Sequence, residues 1–148
     1  MRGIVHMLWL IVAMAFAPAL VQAADSVDKQ LQGVWSASRA EQDGKAANDL
    51  VGHQLSFTGN RFRIQSKGGT LLWEGTYRVE PGAKPAAIDF AHTGGELKGK
   101  MWKGIYTLQG DTLTICDNAP NIDKPRPAGF EAKAGSGYVV LTFKRAKS

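Results

Sequence analysis

The chain has 148 residues, of which 44% are hydrophobic, and its 18 basic and 13 acidic side chains give a net charge of +5 at pH 7. The small basic excess is spread along the sequence, which excludes the concentrated basic stripe that a nucleic-acid-binding surface needs. The one cysteine, Cys116, excludes an intramolecular disulfide, and we expect its thiol to be buried, with a reactive or intermolecularly bonded thiol as the alternatives.

Residues 1–23 have the pattern of a secretory signal peptide. Arg2 supplies the positive charge, Ile4 to Phe16 is an apolar stretch without acidic or basic residues, and small residues precede a cleavage site after Ala23. The apolar stretch is short for a membrane-spanning helix, although an uncleaved anchor is the alternative. We therefore predict a periplasmic or secreted protein whose mature domain, residues 24–148, keeps no membrane anchor.

The mature sequence predicts a single all-β domain. After a short helical turn at 25–32, eight stretches alternate apolar and polar residues between clusters of Gly, Pro, Asn and Asp. The predicted strands are Gly33 to Arg39, His53 to Thr58, Arg61 to Ser66, Thr70 to Glu80, Ala87 to Ala91, Lys100 to Leu108, Thr112 to Asp117 and Tyr138 to Arg145.

Short connections between these strands favour an antiparallel, eight-stranded up-and-down barrel over a two-layer sandwich. Residues 58–61 and 108–111 have the composition of tight turns, and no segment offers the helix of a βαβ crossover. Residues 73–79, Trp-Glu-Gly-Thr-Tyr-Arg-Val, recur as Trp-Lys-Gly-Ile-Tyr-Thr-Leu at 102–108. A glycine within a strand marks a bulge or a bend, so this repeat indicates two similar hairpins, unless it is a coincidence in a short pattern.

Two connections are long, at 40–52 and 118–137, and loops of this length are usually functional or mobile. The second contains three prolines and three glycines. In it, Arg126 and Pro127 precede Phe130, which predicts either an anchor that holds the loop against the barrel or a lid in which Arg126 meets an anionic group.

The start of the first strand, Leu31-Gln-Gly-Val-Trp35, resembles the Gly-x-Trp opening of lipocalins. In lipocalins this tryptophan closes one end of the barrel beside a basic residue near the end of the last strand. The resemblance therefore implies that Gly33, Trp35 and Arg145 close the barrel. A guanidinium over an indole face contributes roughly 0.5–2 kcal/mol.

Nearly the whole mature chain is also similar to a bacterial lipocalin-like domain family catalogued largely from planctomycete genomes. The matching segments are Leu31 to Trp35, Asp43 to Lys45, Gly75 to Tyr77, Lys84 to Asp89, Gly104 to Tyr106, Gly110 to Leu113, Ile115 to Cys116, Arg126 to Pro127, and Phe130. The similarity implies a lipocalin-like fold, and that family has no established activity to transfer. The chain differs from ordinary lipocalins in lacking disulfides.

The mature sequence contains no catalytic signature. Cys116 has no base at an informative spacing, and no Gly-x-Ser-x-Gly motif occurs. The two histidines, His53 and His92, lie near the ends of different strands, so we predict neither an enzyme nor a metal or cofactor site. Three acids without the spacing of a calcium loop are expected to be exposed: Asp117, Asp123 and Glu131.

An eight-stranded barrel is either filled by its own side chains or holds one small ligand. The candidate ligand-binding residues are Phe57, Trp73, Tyr77, Phe90, Trp102, Tyr106 and Arg126. We expect a non-catalytic monomer that binds a small apolar ligand with a polar end. The alternative is a protein-interaction or inhibitor module of the cell envelope that acts through its two long loops.

Overall fold

The computed structural model describes residues 28–147, so the predicted signal peptide lies outside the described residues. The strands are β1 (Gly33–Gln42), β2 (Lys45–Ala46), β3 (Gln54–Thr58), β4 (Arg61–Gln65), β5 (Leu71–Glu80), β6 (Ala87–His92), β7 (Met101–Gln109), β8 (Thr112–Asp117) and β9 (Val139–Arg145). Single 3₁₀ turns span Lys29–Leu31, Asn48–Leu50 and Gly95–Leu97. Within these described residues, no helix is long and apolar enough to cross a membrane.

The strands form one closed antiparallel barrel. β1 and β3 to β9 are neighbours in chain order, and β1 also pairs with β9, so that eight strands close the sheet on itself. The closing ladder runs from Trp35 opposite Arg145 to Gln42 opposite Val139. This confirms the predicted eight-stranded up-and-down barrel and excludes the two-layer sandwich. Closure also pairs both edges of the meander, which removes edges that promote aggregation.

β1 is longer than predicted and carries a bulge. It continues past Arg39 to Gln42, because Asp43 and Gly44, with φ of 55° and 73°, form a tight turn that returns the chain as β2. Ser38 is an extra residue relative to β9, since Ala37 and Arg39 face consecutive residues of that strand. The bulge shifts the alternation of side chains, which places Gln42 on the inner face.

The core lies inside the barrel. Its largest completely buried side chains include Trp35, Phe57, Phe62, Tyr77 and Phe90. The two repeats run along the inner faces of β5 and β7, with a glycine at the middle of each. A Cβ atom at Gly75 would collide with Ala91 O, and one at Gly104 would lie 2.9 Å from Cys116 O. Close approach of the neighbouring backbone therefore requires both glycines.

One end of the barrel is closed by the N-terminal 3₁₀ turn. Trp35 is 0% exposed and donates its Nε1–H to Leu31 O at 2.8 Å. The Arg145 guanidinium lies 4.2 Å from the centroid of the Trp35 ring and donates to two backbone carbonyls of residues 30–32 at 2.8 and 2.9 Å. Gly33, with φ of 114°, makes the turn between the 3₁₀ segment and β1. The structure thus brings together the three residues that the lipocalin resemblance implies for closure.

The long connection 118–137 packs along the outside of the barrel. Pro127 and Ala132 are buried, and Glu131 O lies 3.9 Å from the Cys116 Sγ atom on the outer face of β8. The expectation that Cys116 is buried is confirmed. Burial, with the nearby Asp117 as a second cause, raises the pKa of the thiol to about 11. The thiol therefore stays protonated at neutral pH and is a poor nucleophile.

Candidate functional site

The barrel contains a cavity of about 250 Å³ at the end opposite Trp35. β1 starts beside Trp35 and reaches the other end at Gln42, which lines the cavity. Connecting segments contribute five side chains to its lining: Leu50, His53, Leu97, Ala119 and Pro120. Inner faces of the strands supply its hydrocarbon walls: Leu55, Ile64, Ile115, Val139, Leu141 and Phe143. The site is therefore an apolar pocket between the open ends of the strands.

Aromatic rings form one side of the pocket. Trp73 and Trp102 both line it, and their ring centroids are 5.3 Å apart at an interplanar angle of 69°. Behind them, His92 lies 4.2 Å from Trp102 and 5.5 Å from Phe62, also in edge-to-face arrangements. Such pairs add to the stability that burial alone provides, by about 0.5–1.5 kcal/mol each. The tryptophan side of the cavity is therefore held in place by a second layer of rings.

His92 acts as one more ring of this cluster. Its side chain is buried, and neither ring nitrogen has a hydrogen-bond partner within residues 28–147. Burial lowers the pKa of His92, so the imidazole is neutral at pH 7. We assign it a packing role.

The two mid-strand glycines lie opposite the two buried polar residues. Gly75 of β5 pairs with His92 of β6, and Gly104 of β7 pairs with Asp117 of β8. A Cβ atom at Gly104 would lie 2.9 Å from the Asp117 Cβ atom. Since paired residues point to the same face of a sheet, Gly104 leaves room for the carboxyl group inside the barrel, whereas Gly75 leaves room for the close backbone of Ala91 and His92. This gives a physical reason for the repeated sequence pattern.

Asp117 places a carboxyl group in the wall of the cavity. The residue is 4% exposed and follows Leu113 and Ile115 on the inner face of β8. Its Oδ1 accepts a hydrogen bond from Ala119 N at 2.9 Å, and burial raises its pKa to about 7. The expectation that Asp117 is exposed is wrong, because the strand continues inward-facing to this residue before the loop begins.

The structure brings together some of the predicted ligand-binding residues. Trp73, Phe90 and Trp102 line the cavity. The others in the barrel, Phe57, Tyr77 and Tyr106, are buried but are not part of the cavity lining. Both tyrosine hydroxyls are directed to the closed end instead. Tyr77 OH donates to Gly59 O at 3.0 Å and accepts from Gln32 Nε2 at 2.7 Å, and Tyr106 OH lies 3.5 Å from Asp28 Oδ2.

Arg126 lies on the outside of the barrel, away from the cavity lining. Its Nη1 atom is 2.7 Å from Asp89 Oδ1 and donates to Gly104 O at 2.8 Å and to Ile88 O at 3.3 Å. Asp89 lies between two inward-facing residues of β6, so its side chain points outward. These contacts tie the long connection to β6 and β7, which fits the loop-anchoring alternative for Arg126.

We expect Arg126→Met to lower the free energy of unfolding by about 1–2 kcal/mol, because the half-buried Asp89 loses its charged donor. The loop should also open more often, so that Cys116 reacts faster with a thiol reagent. Urea unfolding and the labelling rate in native buffer measure the two effects. Arg63→Met is the matched control, because its 3.9 Å ion pair with Glu74 is largely exposed and worth less than about 1 kcal/mol. Equal behaviour of the two variants would contradict anchoring.

Within the described part of the chain, no group of three or more His, Cys, Asp or Glu side chains is arranged to hold a metal ion. Compared with protein-family models, with curated proteins and with solved structures, the chain matches none. The lipocalin-like resemblance therefore stays a prediction from the sequence.

Proposed function

We propose that the protein is a non-catalytic binding module that takes one small, mainly apolar molecule into the open end of its barrel. The observation that carries this proposal is the cavity of about 250 Å³ between Trp73, Trp102 and the hydrocarbon walls. Ligand sites are typically concave and apolar, with a few polar groups that fix orientation. In this cavity the polar groups come from Gln42, His53 and Asp117.

The size of the cavity limits the ligand. Pockets for drug-sized molecules measure about 300–1,000 Å³, so a volume of about 250 Å³ suits a smaller molecule. A single aromatic ring with a short side chain, or a short aliphatic chain, is the appropriate scale. Its apolar part gains free energy by leaving water, at about 25 cal/mol per Å² buried.

The place of binding is also part of the proposal. The signal-peptide pattern of residues 1–23 supports export, so the ligand is one that is met outside the cytoplasm. The resemblance to lipocalin-like domains supports the same type of function.

Propylbenzene is a suitable first probe, because it is apolar and of the appropriate size. At ten times its dissociation constant, it should stabilise the mature protein by about 1.4 kcal/mol and raise the melting temperature by roughly 5 °C. It should also change the fluorescence of Trp73 and Trp102, which line the cavity. Differential scanning fluorimetry and a fluorescence titration measure the two effects.

A matched pair of variants locates the site. Leu50→Trp places a large ring at the mouth of the cavity and should weaken propylbenzene binding at least tenfold. Leu72→Trp makes the same change at an exposed position of β5 outside the cavity lining and should leave binding unchanged. No binding of propylbenzene, naphthalene or 1-octanol up to their solubility limits would overturn the proposal.

A further inference from the structure

We propose that the polar end of the ligand is a cationic amine, which the Asp117 carboxylate binds beside the faces of Trp73 and Trp102. This inference rests on the proposed function, because it names the chemistry of the molecule that the same cavity takes. It goes further by assigning Asp117 as the residue that determines ligand specificity.

The first argument is the state of the Asp117 carboxyl group. Its Oδ1 accepts the one hydrogen bond from Ala119 N, whereas Oδ2 has no partner within residues 28–147. Oδ2 of Asp117 keeps some solvent-accessible surface. In this it differs from Nε1 of Trp102 and the two ring nitrogens of His92, which are fully buried and have no hydrogen-bond partner within residues 28–147. Since Asp117 lines the cavity, Oδ2 has an accessible acceptor position on the cavity wall. Gly104, opposite on β7, keeps the space beside this carboxyl group free of a side chain.

The second argument is the charge of the cavity wall. Among residues 28–147, Asp117 is the one acidic residue that lines the cavity, and no lysine or arginine lines it. An anionic ligand would therefore be repelled. A hydrocarbon would leave Oδ2 without a partner in a site of low dielectric, where an unpaired charge is most costly. An ammonium group satisfies the carboxylate, and the same cavity is lined by Trp73 and Trp102, whose indole rings are of the type that attracts a cation over the ring face.

Three probes of similar shape test the proposal: 2-phenylethylamine, the neutral propylbenzene and the anionic 3-phenylpropionate. At pH 8, the mature protein should bind the amine at least tenfold more tightly than propylbenzene, and the acid more weakly than both. Asp117→Asn should abolish the preference for the amine while it keeps propylbenzene binding. Asp123→Asn, which removes the same charge from an exposed position of the long connection, should keep the preference.

The pH dependence provides a second measurement that needs no variant of Asp117. Because the pKa of Asp117 is about 7 in the free protein, binding of the amine should weaken about tenfold between pH 8 and pH 6, while propylbenzene binding should not weaken. His53 is the other titratable side chain on the cavity wall, so the series is repeated with His53→Gln. Cys116 is next to Asp117 in sequence but lies on the outer face of β8, under the long connection. The tenfold change in amine binding between pH 8 and pH 6 should be the same in His53→Gln as in the native protein.

The outcomes separate this inference from the proposed function. Equal binding of the amine and propylbenzene at pH 8 would overturn the amine proposal and leave the proposed function intact. An amine preference that persists in Asp117→Asn would overturn the role of Asp117. If amine binding no longer depends on pH in His53→Gln, the pH effect belongs to His53, and the assignment of this effect to Asp117 is overturned. Binding of none of the three probes would overturn the proposed function together with this inference.

Discussion

Replacing Trp35 by alanine should lower the free energy of unfolding by about 3–5 kcal/mol, the usual cost of removing a large buried ring. The ring is 0% exposed and lies between the N-terminal 3₁₀ turn and the Arg145 guanidinium. Its loss would leave a void at the closed end and would remove the indole donor to Leu31 O. The closing ladder between β1 and β9 begins at the same residue, opposite Arg145, so the change also weakens barrel closure. Urea denaturation followed by circular dichroism measures the effect.

Val34→Ala is the control for this experiment. Val34 is the neighbouring residue in β1, is 40% exposed and points outward, so we expect a loss below about 1 kcal/mol. A double-mutant cycle of Trp35→Phe with Arg145→Met then isolates the contact of guanidinium and indole, expected at roughly 0.5–2 kcal/mol. A loss below about 1 kcal/mol for Trp35→Ala itself would show that the ring does not close the barrel.

Most of the fold could be predicted from the sequence, because most strands of the barrel have one apolar face and are followed by turn-forming residues. The predicted Thr112 to Asp117 strand, for example, has the observed bounds of β8. The sequence could only favour a closed barrel over a sandwich. Closure of β1 on β9 depends on a register between residues that are about a hundred positions apart in the chain. The bulge at Ser38 could not be predicted either, because a single extra residue leaves no mark in a short alternating pattern.

The candidate site could be predicted only in part. Alternation of apolar and polar residues places Trp73, Phe90 and Trp102 inside the barrel. It does not give the position of each residue along the barrel axis, because that position depends on the tilt and stagger of the strands. Tyr77 therefore shares the inner face of β5 with Trp73 but is bonded to the closed end. Because Asp117, Asp123 and Glu131 lack the spacing of a calcium loop, the sequence predicts that Asp117 is exposed. Its position two residues after Ile115, in phase with the inner face, is the signal that identifies it.

A buried carboxyl group in an apolar wall is a cost to the free protein. Replacing a buried charged group by a neutral group of the same shape often stabilises a protein. Residues that lower the stability of the folded protein are common at functional sites. Other buried titratable residues of the interior avoid the cost by staying neutral: burial lowers the pKa of His92 and raises the pKa of Tyr77 and of Tyr106 to about 12. Asp117 thus differs from the rest of the interior, which is why its removal is the most informative single change for stability.

Asp117→Asn should stabilise the ligand-free protein at pH 8 by up to about 4 kcal/mol and have little effect at pH 4. The pKa of Asp117 is about 7 in the folded protein and about 4 in an unfolded chain, and each pH unit between the two corresponds to about 1.4 kcal/mol. Because the folded-state pKa is raised, the contribution of the uncharged carboxyl group is fully present below pH 4 and is lost as the pH rises through 7. Asparagine has no charge to bury, and its amide oxygen can still accept from Ala119 N.

Urea denaturation of the native protein and the variant at pH 4, 6 and 8 measures this difference, and the comparison cancels all other titrating groups that the two proteins share. Asp123→Asn removes the same charge from an exposed position and should give no comparable gain at pH 8. A saturating amine should stabilise the native protein and thereby reduce the advantage of Asp117→Asn, whereas propylbenzene should stabilise the variant at least as much as the native protein. A gain that is the same at all three pH values would mean that packing, and not the burial of a charge, distinguishes the two side chains.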